Sequence, residues 1–175
     1  TVFNVINKTS QVIMAAGYTL EGDEKSESFF YEFFDEIGSR GGDMDWNEML
    51  YQLFEHQMVY GEAWNELIPS RYDKTQIVDL EIIDPKKMDY AKDSRGHIVL
   101  DVNLNPVGFT EELPVDYSVN QLIKPPKDVM LMSNQMFIPP EKIVHYRLYT
   151  IGDGFYGIGL VEPVYVVAER KLNME

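Results

Sequence analysis

Apolar positions recur with helical spacing through the first sixty residues and predict three helices. In the first helix they are Val2, Val5, Ile6, Thr9, Val12 and Ile13. We expect this amphipathic helix to pass into a short strand near residues 14–20. Ser26 is placed to cap a second helix and Gly38 to end it. The apolar face of that second helix is Phe29, Phe30, Phe33, Phe34 and Ile37.

The third helix has the clearest boundary signals. Asp45 and Glu48 have the spacing of a capping box, and Gly61 is placed at the helix end. Its apolar stripe is Trp46, Met49, Leu50, Leu53, Phe54 and Met58. We expect Leu53 to be buried against the sheet that follows, with Gln52 on the opposite face and Trp64 at the junction of helix and sheet.

After Gly61 the pattern changes to short alternating runs separated by Pro, Asp and Gly, which is typical of strands and turns. The predicted strands are residues 62–68, 76–83, 88–92, 97–104 and 142–149. Asp84-Pro85 ends the second of these, and residues 93–96 form the turn of a second hairpin. Residues 105–140 are rich in proline and predict an irregular surface excursion. Pro163 favours a helix beginning at about residue 162.

These elements predict the α+β class, with amphipathic helices packed on a mixed or antiparallel sheet of short strands. A chain of 175 residues with 45% hydrophobic residues can bury a core, so we expect one domain spanning residues 1–175. The sequence lacks an initial Met and stops inside the predicted last helix. We therefore expect both ends to be internal positions of a longer protein, with the last helix continuing beyond residue 175.

Charge and composition exclude several classes of function. The formal net charge is −14, and the first 66 residues hold 13 acidic residues against Lys8, Lys25 and Arg40. Tight non-specific DNA binding is disfavoured, because gripping a phosphate backbone requires a basic surface. There is no cysteine for a disulfide, a zinc thiolate or a nucleophile. No run approaches the roughly 18 apolar residues that cross a bilayer, so we expect no membrane association.

The residues that could carry chemistry favour structural roles. His56, His97 and His145 lack the spacing of a helical zinc motif. Four residues of strand separate Glu62 from Glu66 by roughly 13 Å, wider than the carboxylate pair of a glycosidase.

The glycine-rich run at residues 152–159 stands between a strand and a helix, the context of a phosphate-binding loop. It lacks the following Lys and Ser or Thr, and Glu162 and Pro163 stand there instead. A tight structural turn is the better interpretation. We therefore assign no catalytic, cofactor-binding or metal-binding residues, expect no cofactor, and expect that the chain is not an enzyme.

Several segments, taken in order, resemble the portal proteins of tailed bacteriophages. Residues 60–68, YGEAWNELI, followed by residues 77–85, IVDLEIIDP, resemble a strand started by glycine and a strand ending in Asp-Pro. Residues 138–147, IPPEKIVHYR, and 156–163, YGIGLVEP, resemble the family's next strand, glycine turn and helix entry. The resemblance carries over positions of the fold only: Gly61, Asp84, Pro85, Gly157, Glu162 and Pro163.

The resemblance implies a structural subunit of a phage portal ring, the DNA conduit at one capsid vertex used in packaging, head-tail joining and ejection. The stem and clip of the family are missing here, so the chain resembles the wing region. Implied partners are further copies in a ring, commonly a dodecamer, the capsid or scaffold, head-tail adaptors, and the packaging terminase through regions absent here. Double-stranded DNA would pass without tight binding. The implied location is the portal vertex of a virion assembled in the host cytoplasm, from a phage or prophage gene.

Two alternatives stay open at the level of sequence. One is a non-viral acidic α+β binding or adaptor domain. The other is a hydrolase that uses carboxylates on the sheet.

Overall fold

The computed structural model describes residues 2–37, 44–114, 123–152 and 154–163. The helices are α1 (Val2–Ala16), α2 (Glu24–Glu36) and α3 (Trp46–Tyr60). The strands are β1 (Glu62–Pro69), β2 (Ile77–Ile83), β3 (Met88–Tyr90), β4 (Phe109–Glu112), β5 (Gln135–Ile138) and β6 (Ile143–Arg147). Short 3-10 helices, Pro85–Lys87 and Pro140–Lys142, lead into β3 and β6. This arrangement confirms the α+β class.

The boundaries of α3 are those that the sequence predicts. The Asp45 carboxylate accepts a hydrogen bond from the Glu48 amide at 2.9 Å, and the Glu48 carboxylate accepts one from the Asp45 amide at 3.2 Å. This reciprocal pair satisfies two amides that the helix itself leaves without partners. Gly61 ends α3 in the left-handed conformation, with φ of 80°.

The cap of α2 is Asp23 rather than the predicted Ser26. The Asp23 carboxylate accepts hydrogen bonds from the Lys25 and Ser26 amides, both at 3.1 Å. Ser26 lies inside the helix, and its hydroxyl donates to Asp23 at 2.7 Å. A charged carboxylate at the first free amides is a stronger cap than a hydroxyl, and this explains the shift. The predicted helix end at Gly38 lies outside the described residues.

The strand predicted near residues 14–20 is wrong. The first helix continues through Ala16, because Ala15 and Ala16 have high helix propensity. Gly17 then adopts a φ of 72°, and its amide donates to the Met14 carbonyl at 3.1 Å. Residues 14–20 therefore form a helix end and the turn after it.

Three antiparallel strands form the first sheet, in the order β2-β1-β6. The central strand places Trp64 opposite Ile83 on one side and opposite His145 on the other. These strands confirm the predicted segments 62–68, 76–83 and 142–149. A sheet of this size has one face for the helices and another for a second layer.

The second layer is a smaller antiparallel sheet with the order β3-β4-β5, and it corrects two predictions. The turn at 93–96 forms, but the arm at 97–104 makes only isolated bridges, such as Lys92 with Ile98. The main partner of β3 is β4, which with β5 lies inside the predicted irregular excursion at 105–140. Strands of only four residues carry too little alternation to stand out among prolines.

The two faces of the first sheet bury different sets of side chains. Ala63 faces the helices and packs with Met49 and Leu53, which is 3% exposed as predicted. Trp64 faces the second sheet, so its predicted place at the junction of helix and sheet is wrong. Successive side chains of a strand point to opposite faces, so Trp64 lies on the face opposite to Ala63. The predicted outward position of Gln52 is also wrong, because this side chain is half-buried.

None of the helices in the described part of the chain has the length and apolar character that a bilayer crossing requires. The predicted helix from about residue 162 begins within the described residues, since 161–163 are helical, and the remainder lies outside them.

Candidate functional site

The glycine-rich run packs against the end of α3. A Cβ atom on Gly157 would lie 1.9 Å from the Gly61 carbonyl oxygen, and one on Gly159 would lie 2.4 Å from the Val59 carbonyl oxygen. The Leu160 amide donates to the Met58 carbonyl at 2.8 Å. These backbones touch because no side chain separates them. The glycine-rich run therefore packs directly on the backbone where α3 ends and β1 begins, which is consistent with the structural turn expected from the sequence.

Glu62 lies in this junction and ties the glycine-rich run to β1. It is 8% exposed, and its Oε1 atom accepts a hydrogen bond from the Gly157 amide at 2.8 Å. Its Oε2 atom lies 3.5 Å from Nε2 of His145, which is ion-pair distance but long for a hydrogen bond. One carboxylate thus holds together residues that are 95 positions apart in the sequence.

His145 connects Glu62 to Tyr90 in the second sheet. The Tyr90 hydroxyl donates to the Phe155 carbonyl at 2.7 Å and lies 3.1 Å from Nδ1 of His145. Because the hydroxyl has only one proton, Nδ1 is the donor in the second contact. Burial raises the pKa of Tyr90 to about 12. The Trp64 ring stacks on the imidazole, with centroids 3.5 Å apart.

The contacts of this polar cluster hold the layers of the protein together. Both carboxylate oxygens of Glu62 face protein groups, and His145 is enclosed between Trp64 and Tyr90. An open depression beside Glu62 is lined in part by Asp89, Lys92 and Tyr156.

The other residues considered from sequence lie apart from this cluster. His56 is half-buried in α3, where burial lowers its pKa. His97 is exposed beside Asp93, with 3.6 Å between Nδ1 and the carboxylate. Asp84 caps the 3-10 helix Pro85–Lys87. Glu162 lies in the helical residues 161–163. In the described ranges, no group of three His, Cys, Asp or Glu residues is arranged to hold a metal ion.

Glu66 is not paired with Glu62 but lies opposite Glu81 in the first sheet. Burial raises the pKa of Glu66, and Lys142 opposes that rise. Burial also raises the pKa of Glu111 in the second sheet, with Glu66 adding to it. These acidic side chains share the space between the two sheets.

An apolar groove of about 680 Å³ lies between α2 and the first sheet. Its helix wall is formed by Phe29, Phe30, Phe33 and Phe34, and its floor by Leu67, Leu80, Val144 and Tyr146. Phe29 is 57% exposed and Phe30 is 45% exposed. We call this surface the aromatic groove. Exposed apolar patches of this kind mark interaction sites in soluble proteins.

Sequence reasoning misses the aromatic groove because the helical pattern assigns all four phenylalanines to a buried face. Phe33 and Phe34 do pack against the core that contains Leu53. The apolar face of α2 is broader than one neighbouring layer covers, and this breadth is the sequence signal that could have identified it.

The fold is similar to solved structures of gene transfer agent particles. One is the virion of a native gene transfer agent particle, with a TM-score of 0.52 and 13% identity. Another is the neck of an empty GTA particle computed with C6 symmetry, with a TM-score of 0.50 and 13% identity. A third is the neck of the native particle computed with C12 symmetry, with a TM-score of 0.51 and 11% identity.

Each likeness covers 79% of this chain and 31% of the solved chain, so this chain spans about a third of the length of those proteins. At these identities the likeness is one of fold. No protein-family model matches the chain, and no curated protein matches it.

Proposed function

We propose that this chain is part of a structural subunit of a phage-like portal ring, in the wing region, and that it has no catalytic role. The observation that carries the proposal is the likeness of fold over 79% of the chain to chains from gene transfer agent particles and their necks. The ordered segments around Gly61, Asp84-Pro85 and residues 156–163 support the same assignment.

The geometry of the polar cluster supports a structural role. Glu62, His145 and Tyr90 join both sheets and the glycine-rich run through contacts inside the protein. A subunit that must keep its shape while DNA passes benefits from such fixed junctions, because paired buried polar groups specify one packing arrangement.

The proposed partners follow from this role. They are further copies of the same protein in a ring, capsid or scaffold proteins, head-tail adaptors, and the packaging terminase through other regions of the subunit. Duplex DNA passes through the ring without being held tightly, since the charge of −14 repels phosphate. The proposed location is the portal vertex of the particle.

Deleting the gene and examining the particles tests the proposal. We expect deletion to leave capsid shells that contain no DNA, and complementation to restore filled particles in which the protein occupies one vertex. Normal DNA-filled particles from the deletion strain would contradict the proposal. Absence of the protein from purified particles would favour the adaptor alternative.

A further inference from the structure

The helix that carries the phenylalanines of the aromatic groove is strongly acidic. The α2 helix carries Glu24, Glu27, Glu32, Asp35 and Glu36 against the single base Lys25. Glu32 follows Phe29 by three positions and Glu27 precedes Phe30 by three, so both carboxylates lie beside the two exposed rings. An occupant of this groove must therefore offer apolar side chains together with positive charge.

The chain itself contains a surface segment with that chemistry at residues 123–132, IKPPKDVMLM, which we call the basic methionine segment. Lys124 and Lys127 are exposed, and Met130 and Met132 are 62% and 71% exposed. Asp128 is its one acid. Methionine packs well against aromatic rings because its thioether is flexible and polarisable.

The basic methionine segment is held in shape by hydrogen bonds to its surroundings. The Met130 amide donates to the Lys92 carbonyl at 2.8 Å, and the Met132 amide donates to Gln135 Oε1 at 3.1 Å. A surface segment that is already ordered loses less conformational entropy when it binds.

We propose that the basic methionine segment of one copy occupies the aromatic groove of the next copy. The inference rests on the proposed function and adds to it the two faces that meet between neighbouring subunits. The apolar match is Met130 and Met132 against Phe29 and Phe30. The charge match is Lys124 and Lys127 against Glu27 and Glu32 on α2.

The positions of the two surfaces suit a ring. The groove lies on the helix side of the first sheet, with Leu67 and Tyr146 in its floor. The basic methionine segment is attached to Lys92 and Gln135, in the layer on the other side of that sheet. A contact between two different faces is heterologous, and such a contact repeats into a ring when its rotation closes.

Engineered cysteines test the contact directly in the full-length protein. We expect Phe30→Cys combined with Met130→Cys to give, on oxidation, a ladder of dimers, trimers and larger species. Each single variant lacks one half of the pair and should give no ladder. The matched control replaces Phe30→Cys with Val102→Cys, which is 98% exposed in a different loop, and should also give none.

A charge exchange provides the second measurement. We expect Lys124→Glu with Lys127→Glu to weaken ring assembly roughly five- to tenfold at low salt. Glu27→Lys with Glu32→Lys should weaken it similarly, and the fourfold variant should recover to within roughly twofold of the unsubstituted protein. Circular dichroism of each variant separates a lost contact from a lost fold.

The outcomes distinguish the two proposals. Rings that form normally, with no ladder and no effect of the charge reversals, would overturn the contact and leave the portal assignment standing. Absence of rings from the unsubstituted protein would overturn both. A ladder together with recovery by charge exchange establishes the contact.

Discussion

Gly61 has two separate roles in the junction between α3 and β1. It ends the helix with a φ of 80°, and it allows the backbone of Gly157 to approach. A Cβ at Gly61 would lie 2.4 Å from the carbonyl carbon of Gly157. The sequence predicts the first role from the helix pattern. The second depends on a residue almost a hundred positions away and has no local signal.

We expect Gly61→Ala to destabilise the protein by about 1 to 3 kcal/mol more than Gly96→Ala, because the added methyl group meets backbone atoms that cannot move independently. Gly96 is a matched control, since its φ is 84° and a Cβ atom added there would have no neighbour within 4 Å. Urea unfolding of both variants measures the difference. Equal losses would show that the junction is looser than the structure indicates.

Ionisation of Tyr90, which contacts the same junction, makes the stability of the protein depend on pH. Its pKa is raised to about 12 by burial, against about 10 in an unfolded chain. Its contribution to stability is therefore fully present below pH 10 and is lost as the pH rises from about 10 to 12.

Replacing Tyr90→Phe should cost about 1 to 2 kcal/mol at pH 7, because the Phe155 carbonyl and His145 each lose a partner. The variant should also lose less stability than the parent between pH 10 and 12. Tyr72→Phe, at a fully exposed position, should change neither quantity. Chemical unfolding as a function of pH measures both quantities. Parallel pH profiles of the unfolding free energy for the parent and Tyr90→Phe would contradict the contribution assigned to Tyr90.

At the scale of elements, local signals predict the helices well. The boundaries of α3 are set by the capping box of Asp45 and Glu48 and by Gly61. These signals can be found in the sequence because each acts within a few residues. The strands of the second sheet are poorly predicted, since β4 and β5 have four residues each and pair across a gap in sequence. The predicted face of Trp64 is wrong because strand alternation shows that two faces differ but not which layer covers each.

The α3 stripe gives a direct test of the helix-sheet layer. Leu53→Ala should destabilise the protein by about 2 to 5 kcal/mol, because the side chain is 3% exposed and leaves a cavity. The control is Asn47→Ala on the exposed side of the same helix, with an expected change below about 0.5 kcal/mol. Thermal unfolding compares them. Similar losses of stability for both variants would mean that the wrong face of α3 has been assigned as buried.

At the scale of the whole molecule, the structural role that the sequence predicts depends mainly on the ordered segments that resemble portal proteins. It could not show that Glu62, His145 and Tyr90 meet, because they come from three distant parts of the chain. It also could not show the aromatic groove, which depends on how much of α2 the neighbouring layer leaves open.

The charge of −14 leads to a prediction about nucleic acid. We expect no measurable binding of this chain to duplex DNA at physiological salt, because repulsion from phosphate outweighs contacts by the dispersed lysines. Fluorescence anisotropy with a labelled duplex measures this, and a basic DNA-binding protein serves as the positive control. Submicromolar affinity would be incompatible with a conduit that lets DNA slide.

Electron microscopy of the purified full-length protein tests the central claim most directly. The portal assignment predicts closed rings with a central channel and one rotational symmetry, built from subunits in which this chain forms the wing. Only monomers or dimers, across a range of salt and protein concentrations, would contradict it.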